Sequence, residues 1–99
     1  MWILESTDPE LVFRMPTRSM KTMGRAARAD FIVDAPLVSR LHCRLSLDAR
    51  HHLDVEDLGS TNGTWVNSRK IKRAPLASGD RLKVGRVEFV VRTEDGGKR

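Results

Sequence analysis

A chain of 99 residues can close one hydrophobic core and excludes a second domain of ordinary size. The hydrophobic fraction of 39% supports a modest core, and charged residues, 31% of the chain, are spread rather than massed, which excludes a disordered polyelectrolyte. The formal net charge of +5 favours an anionic partner, the single cysteine Cys43 excludes an internal disulfide, and no apolar run approaches the roughly 18 to 20 residues that span a bilayer.

In chain order, Met1-Trp2-Ile3-Leu4-Glu5 turns polar too soon for a signal peptide and agrees with a native amino terminus. The spacing predicts strands over Trp2–Glu5 and, after Asp8-Pro9, over Leu11–Met15. Arg14, Arg18, Lys21, Arg25 and Arg28 then follow with no acid between Leu11 and Ala29, a run that ordinarily makes a solvated face. Strands are expected over Lys21–Gly24 and Phe31–Val33, and Asp34-Ala35-Pro36 marks a loop. The clearest alternation comes next, with Cys43, Leu45 and Leu47 on one face and Arg44, Ser46 and Asp48 on the other, inside a strand His42–Leu47. Leu53 and Val55 repeat the pattern in His52–Asp57.

Beyond the Asn62-Gly63 turn the expected strands are Thr64–Val66, Lys70–Ile71, Arg81–Val84 and Val87–Arg92, separated by Ser78-Gly79-Asp80 and Gly85-Arg86. No stretch of ten or more residues reads as helix, so the pattern is that of an all-β sandwich or barrel. Residues 1–93 form the domain, and 94–99 read as a polar tail or the start of a linker.

The polar residues most suited to binding fall in the loops: Gly24-Arg25, Ser39-Arg40-Leu41-His42 and Ser60-Thr61-Asn62-Gly63-Thr64. Together with Asp57-Leu58 and the later Leu76 to Gly85 (Leu-x-x-Gly-Asp-x-Leu-x-x-Gly), they occur in the order and spacing of forkhead-associated domains, which the chain resembles from about Trp2 to Arg92. The resemblance implies a two-sheet β-sandwich of about ten or eleven short strands. It also implies a non-enzymatic module that binds phosphothreonine segments of partner proteins through loops at one edge.

The residue chemistry agrees. A phosphate dianion needs a fixed cation, and Arg25 supplies a planar fork of donors that matches phosphate oxygens. Gly24 lets the backbone turn sharply at a strand end and aim Arg25 outward. By resemblance Ser39, Arg40 and Thr61 join Arg25 on the phosphate, Arg40 as a second positive charge. Asn62 carries a donor and an acceptor suited to an extended main chain, although Asn-Gly is equally a common tight turn. The resemblance assigns Asn62 to the ligand backbone, while Gly63 permits a left-handed loop. It makes His42 architectural and Asn67 a stabiliser of its own loop. Leu37, two residues before Ser39, stands where some relatives sense the third residue after phosphothreonine, and its apolar side chain favours an apolar ligand residue there.

Other chemistries find less support. Ser39 three residues before His42 hints at a nucleophile and base, but no nucleophile elbow and no third residue orients the histidine. His42, His51, His52 and Cys43 lack zinc-site spacing, and no cofactor motif is present, so neither metal nor cofactor is expected. Nucleic acid is the first rival partner, from the net charge and from Arg69, Lys70, Lys72 and Arg73. Against it, the five aromatic residues are not interleaved with basic ones. The second rival is a phosphate-independent interaction or dimerisation surface on a sheet face, the monomer being the default. The unpaired cysteine points to an intracellular setting, cytoplasmic or nuclear, without a membrane.

Overall fold

The computed structural model describes residues 1–94, so residues 95–99 of the expected tail lie outside the described residues. Eleven strands and no helix occur among the described residues: β1 (Trp2–Thr7), β2 (Glu10–Met15), β3 (Ser19–Gly24), β4 (Phe31–Ile32), β5 (Cys43–Leu47), β6 (Leu53–Asp57), β7 (Thr64–Val66), β8 (Arg69–Ile71), β9 (Arg73–Leu76), β10 (Arg81–Val84) and β11 (Val87–Thr93). With no helix there, none is long and apolar enough to cross a membrane.

Two sheets form the sandwich, one of six strands in the order β2-β1-β11-β10-β7-β8 and one of five in the order β4-β3-β5-β6-β9. Neighbouring strands pair antiparallel except for β3 with β4, where Met23 and Gly24 stand opposite Phe31 and Ile32 in parallel. Alternation is the cause of the layering. In β5, Cys43, Leu45 and Leu47 are buried against the opposing sheet, while Arg44 and Ser46 lie half-buried on the outer face. There Arg44 stands directly opposite Glu56 and donates to its Oε1 at 2.6 Å. Leu82 and Val84 of β10 and Phe89 and Val91 of β11 fill the core from the other sheet, each such side chain contributing about 1.5–3 kcal/mol when fully buried. Phe13 stacks on Phe31 with centroids 4.7 Å apart and meets Phe89 at 5.8 Å, linking the two layers.

Every strand expected from periodicity is present, with ends displaced by up to two residues, and Val33 falls just outside β4. Strand β9 is additional to the expected strands, which left residues 72–80 without an element. Pro75 is compatible with a strand because β9 lies at the edge of its sheet and pairs with β6 alone, leaving one side on which no amide donor is required.

Candidate functional site

The loops after β3, between β4 and β5, and between β6 and β7 meet at one end of the sandwich. Main-chain hydrogen bonds zip the first two together: Arg25 N donates to Ser39 O at 3.0 Å, Ala26 N to Arg40 O at 3.1 Å, and His42 N to Met23 O at 2.8 Å. The approach is so close that a β-carbon on Gly24 would lie 2.0 Å from the Arg40 carbonyl oxygen and 2.9 Å from that of Ser39. Gly24 is therefore required because another backbone lies on it. The sharp turn expected from the sequence is not its reason, since Gly24 is absent from the residues with positive φ.

Arg25 is exposed, yet its guanidinium is anchored: Nε donates to Val38 O at 3.1 Å. That bond occupies the inner edge of the fork and leaves the terminal amino groups to a ligand. Ser39 Oγ accepts the Thr61 amide at 3.1 Å, so its own hydrogen remains free to donate. Asn62 Nδ2 donates to Leu37 O at 3.1 Å, which ties the third loop to the second and holds the amide plane in place. An open groove of about 560 Å³ runs between these groups, lined by Arg25, Leu37, Ser39, Thr61 and Asn62 together with Asp34 to Pro36 and Val38. Arg40 is also exposed but does not line this groove; its carbonyl oxygen accepts from the Ala26 amide. Leu37 is 46% exposed and adopts φ 70°, a left-handed conformation that an L-residue holds at a cost of about 1–2 kcal/mol.

His42 is completely buried and braces the loops from below. Its Nδ1 accepts the Ser39 amide at 3.0 Å, which requires the proton to sit on Nε2, and Nε2 in turn donates to Gly63 O at 2.8 Å. Both ring nitrogens are thus committed to main chain, and the Ser39 hydroxyl is engaged by Thr61 rather than by the imidazole. Gly63 holds φ +87°, the left-handed backbone expected of it.

Two further residues, Asp57 and Ser60, hold the third loop in roles that the sequence reading did not assign. Asp57 Oδ2 accepts the amides of Gly59 and Ser60 at 3.0 and 3.1 Å, and Oδ1 accepts the Thr64 hydroxyl at 2.7 Å and the Ser60 hydroxyl. Ser60 Oγ then accepts the Gly63 amide at 2.9 Å. Partial burial opposes ionisation of Asp57, but the Ser60 and Thr64 hydroxyls and the two amides outweigh it and hold the carboxyl below its ordinary range. The Asp-x-x-Ser spacing is the local signal that an aspartate caps its own turn. Asn67 is placed at the β7–β8 turn, away from the groove. It accepts the Arg81 amide at 3.0 Å and donates to Asp80 Oδ1 at 3.0 Å, pinning the hairpin to β10.

Cys43, next to His42, is buried, and that burial, with the Asp57 charge, pushes its thiol far above the ordinary range. Among the described residues no three His, Cys, Asp or Glu side chains are grouped as metal ligands.

Comparison with known proteins places this arrangement. The FHA domain model matches residues 21–85. The glycogen accumulation regulator GarA of Mycobacterium tuberculosis is 34% identical over 76 residues, covering 77% of this chain and 46% of the relative. The oxoglutarate dehydrogenase inhibitor of Corynebacterium diphtheriae is 34% identical over 73 residues, covering 74% of this chain and 50% of the relative. The chain thus spans about half the length of these curated relatives. Among solved structures, a domain studied for phosphothreonine-dependent FHA interactions superposes with a TM-score of 0.87 at 30% identity, covering 94% of this chain and 96% of that one. The FHA domain of FhaA, solved in complex with the intracellular domain of another protein, gives 0.85 at 30% identity, covering 93% of this chain and 100% of that one. The family match over residues 21–85 takes in the three loops that build the groove, and the chain belongs to the FHA-domain family.

Proposed function

We infer that this chain, a phosphopeptide-binding signalling module of the FHA-domain family, reads phosphothreonine in extended segments of partner proteins without catalysing a reaction on them. The observation that carries this reading is the anchored Arg25 guanidinium lining the same groove as Ser39, Thr61 and Asn62. The terminal amino groups of Arg25 take two phosphate oxygens, the free Ser39 hydroxyl hydrogen donates to a third, and Thr61 borders them. Arg40, exposed beside this cluster, adds long-range attraction for the dianion. Asn62, held by Leu37 O, offers its amide oxygen and second amide hydrogen to the ligand main chain. Leu37 lies at the groove's rim and favours an apolar side chain at the third residue after phosphothreonine. No cofactor takes part, and the partner is an intracellular protein.

Isothermal titration of one phosphothreonine peptide, its unphosphorylated form and its phosphoserine form tests the reading. Binding only when phosphorylated, weaker for phosphoserine, is the expected result. Replacing Arg25 by Ala removes more than one charge-assisted bond, worth about 1.5–3 kcal/mol each, and is expected to weaken binding at least tenfold. Equal affinity for the phosphorylated and unphosphorylated peptides overturns the reading.

A further inference from the structure

Strand pairing creates a combination that the linear order of residues does not show. Trp65 of β7 stands directly opposite Lys83 of β10 on one side and directly opposite Lys70 of β8 on the other. Residues opposed in a ladder share a face, and Thr64 and Val66 beside Trp65 are buried, so the row Lys70–Trp65–Lys83 lies on the outer face of the six-stranded sheet. Trp65 borders a hollow of about 320 Å³ with Asn67, Ser68, Arg81, Lys83 and Glu88. Glu88 of β11 stands directly opposite Lys83 and lies 3.6 Å from Arg81, so one carboxylate faces the three cations Lys70, Arg81 and Lys83, and the row with its flank carries net positive charge.

This row is continuous with the phosphate groove. The Trp65 indole Nε1 donates to Asn62 O at 3.3 Å. A β-carbon on Gly63 would lie 2.8 Å from Lys70 Cε and 3.3 Å from that same Nε1, so the lysine stem and the indole both rest against the loop that carries Thr61 and Asn62. A ligand segment leaving over Asn62 meets an aromatic platform with one ammonium on either side.

We propose that Trp65, Lys70 and Lys83 form a second subsite, which takes anionic side chains of the ligand a few residues from its phosphothreonine. This rests on the phosphothreonine reading of the groove and deepens it. The indole supports the apolar stems of the segment, and the two ammonium groups pair with its carboxylates or with a second phosphate. An extended chain advances about 3.3 Å per residue, so anionic residues reach the row a few positions from the phosphothreonine, on one side of it only. A nucleic acid is the less favoured occupant, because one indole offers a stacking surface to a single base and the row ends at the phosphate groove.

The test titrates the wild type and the Lys70→Gln/Lys83→Gln variant with four phosphothreonine peptides. All four keep an apolar third residue after phosphothreonine, and they carry neutral flanks, acidic residues about four to six positions before, acidic residues about four to six positions after, or a second phosphoserine on the better side. Wild type is expected to bind one acidic peptide about three- to tenfold more tightly than the neutral one. That advantage is expected to disappear in the variant and to shrink in high salt, while the neutral peptide binds both proteins alike. The gain from acidic residues against that from phosphoserine identifies which anion the subsite prefers. Equal affinity for neutral and acidic peptides overturns the subsite alone, as does an advantage that survives in the variant. Failure of all four peptides to bind overturns the groove reading and the subsite together. Tight binding of an unmodified single-stranded oligonucleotide that is lost in the variant overturns the proposal in favour of nucleic acid.

Discussion

The His42 imidazole and the Gly63 carbonyl oxygen lie 2.8 Å apart inside the sandwich, while the other ring nitrogen accepts the Ser39 amide at 3.0 Å. One buried ring thus sets the spacing between the two loops whose outer residues line the groove. Preorganisation of this kind reduces the ordering cost of binding.

Replacing His42 by Ala leaves the Ser39 amide and the Gly63 carbonyl without their partner, at about 1–3 kcal/mol for each buried group left unsatisfied. Thermal denaturation is expected to show a lower Tm, by about 4–8 °C per kcal/mol for a domain of this size. Peptide titration well below the transition is expected to show weaker binding as well. Unchanged affinity in the folded variant would mean that the ring does not set the loop spacing.

Arg25→Lys keeps the charge but not the fork. An ammonium group cannot donate to Val38 O through an inner nitrogen while presenting two parallel donors outward. The variant is expected to fold as well as wild type, since the side chain is exposed, and to retain less than about a tenth of the phosphopeptide affinity, a loss of about 1.4 kcal/mol or more. Calorimetric titration decides it, and full retention by lysine would show that charge alone suffices.

Asp57 gives a pH dependence whose sign follows from its depressed carboxyl. The folded state binds this proton less readily than the unfolded state, so the stabilisation is complete above the ordinary aspartate range, about pH 4, and is lost as pH falls through the lower folded value. In Asp57→Asn an amide hydrogen faces the Gly59 or Ser60 amide, and the variant is expected to be less stable by about 1–2 kcal/mol at neutral pH, allowing for the partial exposure of the group. Thermal melts of both proteins between about pH 7 and pH 3 are expected to converge as the pH drops. A difference constant with pH would remove Asp57 from this role.

Gly24→Ala sets a methyl group against the Arg40 carbonyl, where no flexible side chain can yield. Overpacking of this kind costs about 1–3 kcal/mol. The second loop is expected to move away from β3, with the largest amide chemical-shift changes at Arg25 and at residues 39–42 and with reduced phosphopeptide affinity. Shift changes confined to residue 24 and its chain neighbours would contradict the close approach.

The sandwich was legible because alternation at Cys43 to Leu47, Leu53 to Val55 and Val87 to Val91 has only one physical solution, a strand with one buried face. β9 was not, since Pro75 signals a break unless the strand is known to be an edge, and edge position is a property of the assembled sheet. At the site, Arg25, Ser39, Thr61 and Asn62 were identifiable as donors in loops, and the fold brings all four to one groove. Arg40 does not line it; it is exposed, and its carbonyl oxygen lies against Gly24. The need for Gly24 was visible but its cause was not, because the backbone resting on it belongs to residues fifteen and sixteen positions later. The alignment of Trp65 with two lysines depends on the register of three strands, which no local pattern encodes.

The proline in β9 has a wider consequence. Three of the four outermost strands are poor templates for an incoming chain: β4 has two residues, β8 is three residues long and begins Arg69-Lys70, and β9 contains Pro75. An unmodified extended segment therefore finds few free rungs at those borders. Attachment there must depend on what the segment's side chains carry, which keeps a domain built to receive extended peptides from joining indiscriminately to every exposed strand it meets.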